Sequence, residues 1–149
     1  VSSLGDFRRR IRKRAKQLQR TTETAVRQGA IAGLRAATVA TPVDTGNARV
    51  NWNVSVKVPE VEVRPLPEGA RISKSEANQE AGRRARFRVK AFKIDDGVIW
   101  LTNGVQYIRL LDTGGISKKG GNMSAKAILA ATRAIKIRLA RGIFKRGRS

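Results

Sequence analysis

The sequence predicts an α+β domain: an antiparallel β-sheet packed by a long N-terminal helix and a C-terminal helix, with an inserted arm. Three observations carry this. From Leu4 to Ala40, apolar residues recur at three- and four-residue steps. Between Arg49 and Val58 the period changes to two without exception. From Ser124 to about Ala140 a helical stripe returns, behind a serine placed to cap it.

In the first helix, Leu4, Phe7, Ile11, Leu18, Ala25 and Gly29 mark one face. A continuous helix would be about 55 Å long at 1.5 Å per residue. A domain of this size does not easily cover that, so the first turns (residues 1–20) are expected to project as a basic arm. Ala25, Gly29, Ala32, Gly33 and Ala36 suit close packing on a sheet or another helix. Thr41-Pro42-Val43-Asp44-Thr45-Gly46 ends the helix. Pro42 has no amide hydrogen and drives Thr41 out of the α region. Asp44 can bond the backbone two residues on, and Gly46 can take positive φ without steric cost.

In the strand that follows, Val50, Trp52, Val54, Val56 and Val58 alternate with Arg49, Asn51, Asn53, Ser55 and Lys57. One buried face and an antiparallel partner are expected. Pro59, Pro65 and Pro67 then mark a linker or extended loop, in which Val61 and Val63 could extend or pair a strand. Ser73 to Arg88 reads as a helix with capping-box spacing between Ser73 and Glu76. Its stripe of Ala77, Ala81 and Ala85 is weak and Gly82 weakens it further, so residues 59–86 read as a peripheral insertion. Phe87 to Lys93 reads as a short strand, Asp95-Asp96-Gly97 as a hairpin turn and residues 98–102 as the next strand. Asn103-Gly104 is another turn, Tyr107 to Asp112 a short amphipathic piece, and Thr113 to Asn122 a glycine-rich, flexible loop. On the last helix, Ile128, Leu129, Ala131, Ile135 and Leu139 are expected to share the buried face. Residues 141–149 form a basic tail.

Composition narrows the chemistry. The 149 residues fit a single domain, 1–149, with a real core. Neither cysteine nor histidine occurs. Disulfides, thiol chemistry, the commonest general base and the commonest transition-metal ligand are therefore missing. Asp95 and Asp96 are adjacent and belong to a turn rather than to a catalytic pair. Gly115 to Gly121 is a poor match to a phosphate-binding loop, because Gly121 stands where that loop needs lysine. No catalytic residue, metal ligand or cofactor is expected. No apolar run reaches the roughly 18 residues of a membrane span, and no secretory segment follows the basic N-terminus.

The formal net charge is +21, which calls for a polyanionic partner. Basic residues cluster in 1–20, in 83–93 and in 126–149. Aromatics interleaved with them are few, and no helix-turn-helix, zinc-finger or RNA-recognition pattern appears.

Two stretches resemble the tail-completion (neck, head–tail joining) family of long-tailed bacteriophages. One is Thr41 to Gly46 followed by the strand past Trp52. The other is Leu101-Thr102-Asn103-Gly104-Val105-Gln106-Tyr107-Ile108, then Leu111-Asp112-Thr113-Gly114, then the loop before Met123 and the last helix. The resemblance covers roughly residues 20–140. It departs at Asp112-Thr113, where the family usually has Glu, and at Gln106, which replaces a common Pro. The resemblance implies a non-catalytic structural protein of the virion neck, made in the bacterial host cytoplasm. It implies a homo-oligomeric ring, a hexamer, that joins the tail terminator to the head connector or stopper. Genomic double-stranded DNA would pass through its channel, and no membrane is involved. Within that expectation, Arg8, Arg9, Arg10, Arg12, Lys13, Arg14, Arg83, Arg84, Arg86, Lys118, Lys119, Arg141, Lys145 and Arg146 contact DNA or acidic partner surfaces. Pro42, Asp44, Gly46 and Gly114 shape turns. The alanine- and glycine-rich part of the first helix is an inter-subunit surface or, equally, an intramolecular one. The alternative from composition alone is a basic nucleic-acid-binding protein without sequence preference.

Overall fold

The computed structural model of the chain describes residues 3–42, 46–115 and 121–144. Its elements are α1 (Leu4–Ala40), α2 (Asn47–Val50), β1 (Trp52–Val56), α3 (Lys74–Val89), a 3-10 turn (Ile94–Asp96), β2 (Ile99–Asn103), α4 (Ile108–Asp112) and α5 (Met123–Phe144). This is an α+β fold with long N- and C-terminal helices and a two-stranded antiparallel sheet.

Helix α1 is the spine on which the other elements pack. It starts at Ser3, whose hydroxyl accepts from the Asp6 amide at 3.2 Å, and Asp6 places negative charge in the first turn. It ends where Thr41, ahead of Pro42, turns extended at φ −67° and ψ 125°. Helix α5 runs antiparallel along it. Thr21 meets Gly142, Gly29 meets Ile135 and Ala131, and Gly33 meets Ala127 and Ala131. A Cβ on Gly29 would fall 2.6 Å from Ile135 Cγ1, so the two backbones approach as only glycine allows. The alanine- and glycine-rich face of α1 is therefore occupied within the chain, which decides between its two readings.

That close seam also explains a correction on α5. Its buried positions are Met123 and Ala127, with Ala131 and Ile135 half-buried behind them. A seam this narrow takes small residues at Ala127 and Ala131. Ile128 and Leu129, expected inside, are left 67% and 70% exposed.

Helix α3 forms with both halves of its capping box present. It is not peripheral. Ala77, Ala81, Ala85 and Val89 are buried against α1 and the sheet. Arg35 Nε donates to Asn78 Oδ1 at 3.2 Å, and Arg27 Nε donates to the Phe92 carbonyl at 3.2 Å. Alanine at four-residue steps is a weak hydrophobic signal, but it lets one helix lie close on another. Residues 87–93 are not a strand: α3 runs on to Val89, and Phe92 is then buried in the turn that follows. Asp95-Asp96-Gly97 is a 3-10 turn with Gly97 at φ 83°, and it leads into β2.

The first strand is shorter than its alternation suggests, because Asn47–Val50 forms a helical turn. β1 pairs with β2 in the register Trp52↔Asn103, Val54↔Leu101 and Val56↔Ile99. Trp52 and Val54 face the core. The opposite face was expected in solvent, yet Asn51, Asn53 and Ser55 are buried. The proline-bearing segment 59–67 lies over them as a strap. Asn51 donates to the Arg64 carbonyl and accepts from the Arg64 amide, Asn53 donates to the Glu62 carbonyl, and Ser55 accepts from the Glu60 amide. From β2, Thr102 donates to the Glu60 carbonyl. Side chains thus do what a β-ladder would do, beside a segment whose prolines cannot donate. Gly104 is required there: a Cβ would meet the Val61 carbonyl oxygen at 2.0 Å.

Candidate functional site

Three features stand out: a buried lock at the end of α1, a basic pole, and a projecting arm. The lock gathers residues of the Thr41–Trp52 stretch. The Arg49 guanidinium, 4% exposed, donates from Nε to the Thr38 carbonyl at 3.1 Å and from one terminal nitrogen to the Thr41 carbonyl at 2.6 Å. Trp52 Nε1 donates to Thr41 Oγ1 at 2.8 Å, and that hydroxyl donates to the Ala37 carbonyl at 2.7 Å. A cation placed on the last carbonyls of a helix is favoured by their unpaired lone pairs and by the helix dipole. Burial lowers the pKa of this guanidinium. Gly46 sits at φ 93°, with Ile72 O 3.2 Å from where a Cβ would be. Pro42 follows the C-cap residue Thr41, whereas Asp44 lies outside the described residues. The lock fixes how α1 leaves the sheet.

A second joint, this one built on a carboxylate, secures α5. Asp112 accepts from the Ser124 amide at 3.0 Å and from the Ser124 hydroxyl at 2.7 Å. Burial acts to raise the Asp112 pKa, but the hydrogen bonds from Ser124 and the Met123 amide outweigh it and hold the carboxyl below its ordinary value. Ser124 is thus bound by Asp112 rather than acting as the cap itself, and Gly114 (φ 79°) and Gly121 (φ 108°) shape the turn around it.

The basic pole arises because both partner helices run antiparallel to α1. Gly142 lies at Thr21, Phe92 at Arg27, and the Ile94 amide donates to Glu23 Oε1 at 3.3 Å. Basic clusters far apart in sequence therefore meet at one end. Segments 3–27, 86–98 and 135–144 hold 16 Lys or Arg against 4 Asp or Glu, while the other described residues hold 11 against 6. Glu23 is the buried acid here, next to Arg27 and Lys93 at 3.6 Å each. Burial alone would raise its pKa; the Ile94 amide, Gln19, Lys93 and Arg27 outweigh that and lower it.

Among the expected contact residues, Arg8, Arg10, Arg12, Lys13 and Arg14 are exposed on the arm, and Arg9 pairs with Asp6. Arg83, its side chain 80% exposed, pairs with Glu80, and Arg86 is exposed. Arg84 is a correction. Its side chain is 18% exposed and donates to the Val50 carbonyl at 2.8 Å and to the Trp52 carbonyl at 3.5 Å, so it braces α3 on the end of α2 and the start of β1. Arg141 lines a cleft of about 810 Å³ between α1 and the end of α5, with Gln17, Arg20, Thr21, Thr24, Arg138 and Gly142. Lys118, Lys119, Lys145 and Arg146 lie outside the described residues. Arg20 and Arg138 are additions; their clusters were legible in the sequence, but their convergence depends on the helix directions.

The arm itself is the extension of α1 beyond its neighbours. The first buried residue is Glu23, and the side chains of residues 7–16 are all exposed. Leu4, Phe7, Ile11 and Leu18 are each more than half exposed. At about 100° per residue they fall within roughly 60° of one another. The same helical angle continues through Ala25, Gly29 and Gly33, the face that α5 covers lower down. Basic side chains wrap the rest of the arm. Among the described residues no helix is long and apolar enough to cross a membrane. In comparisons with family models, characterised proteins and solved structures, nothing matches this chain.

Proposed function

We propose that this chain is a structural joining protein of a phage neck, assembling as a closed ring around the DNA channel and docking between the tail terminator and the head connector. The resemblance at Thr41–Trp52 and Leu101–Gly114 suggests the place. The observation that carries assembly is the arm. A lone copy leaves an apolar stripe of Leu4, Phe7, Ile11 and Leu18 in water, on the very face that is a helix–helix seam further along α1. Contiguous apolar surface of this kind marks an interaction site. Its natural cover is a neighbouring subunit, in a heterologous contact that must close into a ring. Ile128 and Leu129 add a second exposed apolar position on the outside of α5.

The basic pole favours a second reading, a nucleic-acid-binding protein without base recognition. Electron microscopy of the purified chain after nuclease treatment separates the two. Rings that form without nucleic acid, and that stack with purified tail terminator, support the neck reading. Monomers that change state only on adding DNA reject it.

A further inference from the structure

We infer that the cleft between α1 and the C-terminal part of α5 is a phosphodiester-binding site that grips the backbone of duplex DNA. The choice of DNA as the polyanion rests on the neck reading; the phosphate chemistry does not.

Three guanidinium side chains, Arg20 from one wall and Arg138 and Arg141 from the other, line the same cleft. Among the described residues none of them has a carboxylate within ion-pair distance, whereas Arg27, Arg64, Arg83, Arg84 and Arg88 all do. Like charges brought together without an acid raise the local potential and favour an anion. The hydroxyls of Thr21 and Thr24 share the lining, each donating to the carbonyl four residues back. At the floor the helices touch: Gly142 lies so close to Thr21 that a Cβ there would fall 2.6 Å from its methyl carbon. That contact sets the spacing of the walls, and arginine's planar fork suits phosphate oxygens.

Two features favour a polymer over a single phosphate. The cleft, at about 810 Å³, exceeds what one phosphate group fills. The cations also continue outward along the arm: Lys16, Lys13 and Arg9 follow Arg20 at three- to four-residue steps on one side of α1. Such a row tracks a strand, and with no aromatic residue among the described residues of the lining there is nothing in that set to stack on bases.

The test measures binding of a fluorescent duplex DNA of mixed sequence to the full chain across a salt series, with inorganic phosphate as a competitor. Arg138→Gln with Arg141→Gln should lower affinity at 0.1 M salt by tenfold or more and reduce the log–log salt slope by about 2. Thr24→Glu, which keeps both arginines and places a carboxylate in the cleft, should weaken binding in the same direction. Arg83→Gln with Arg86→Gln removes the same charge elsewhere and should do markedly less. Equal losses from both arginine pairs would overturn the site in favour of diffuse charge. Inorganic phosphate that displaces DNA at equal phosphate concentration would overturn the polymer assignment. Oligomer mass is read in the same samples without DNA. A monomer there counts against the ring, while the arginine comparison still decides the cleft.

Discussion

Arg49 shows how much one side chain can organise. It is buried, has no carboxylate partner among the described residues, and satisfies two carbonyls at the end of α1 in the geometry of a fork. Lysine carries the same charge but only a single point donor on a flexible stem. Arg49→Lys should therefore cost about 1.5–3 kcal/mol, the range for hydrogen bonds to a charged group, read as a lower urea midpoint. An unchanged midpoint would mean that the lock is ornamental. Glu23 gives a second test. Its pKa is lowered on folding, so its contribution is present above the ordinary carboxylate value of 4.5 and is lost as pH falls through the lowered folded value. Glu23→Gln should reduce stability at neutral pH and flatten its loss in acid, measured by melting temperature from pH 7 to pH 3. An equally steep acid loss in the variant would place the sensitivity elsewhere. Thr41, Pro42, Arg49 and Trp52 were all visible in the sequence as a junction. That Arg49 points inward was not, because period-two alternation assigns it to the polar face, and only the helical turn Asn47–Val50 brings it under α1.

At the scale of elements, two devices replace ordinary packing. The first is the glycine seam between α1 and α5. Gly29→Leu would drive a branched side chain into Ile135 and the Ala131 carbonyl, and should cost roughly 1–3 kcal/mol or more by overpacking. Chemical denaturation checks this, and a neutral result would mean the helices are further apart than described. The second device is the strap. Gly104→Ala places a methyl group on the Val61 carbonyl, so it should release residues 59–67 without unfolding the helices. Limited proteolysis within 59–67 should speed up several-fold while helical circular dichroism holds. Unaltered cleavage would contradict the side-chain pairing. The strap was legible in part. Asn51, Asn53 and Ser55 alternate with apolar residues as solvent-facing groups do, but all three are short donors or acceptors and none is charged. With three prolines following, that composition suits binding an extended backbone. The failure at 87–93 has the opposite cause. Phe87, Val89 and Ala91 alternate over too few residues to distinguish a strand from the end of a helix.

The whole molecule is a two-ended object: a compact body locked at the C-terminal end of α1, and a basic, apolar-striped arm at the other. Helix existence, the long α1 and the charge clusters followed from the sequence. The pole did not, because a chain read in order does not say that α3 and α5 both run back along α1. The apolar stripe on the arm is the part of the fold that a single copy leaves unburied. The central proposal is that other copies bury it. The most direct measurement is the mass in solution, by native mass spectrometry at several concentrations and without nucleic acid, of the full chain and of a variant carrying Leu4→Ser, Phe7→Ser, Ile11→Ser and Leu18→Ser. The parent should give one closed oligomer, with a hexamer as the expected size, and the variant should be monomeric with the unfolding midpoint of its body unchanged. A parent that stays monomeric at every concentration, or a variant that assembles as well as the parent, would contradict it.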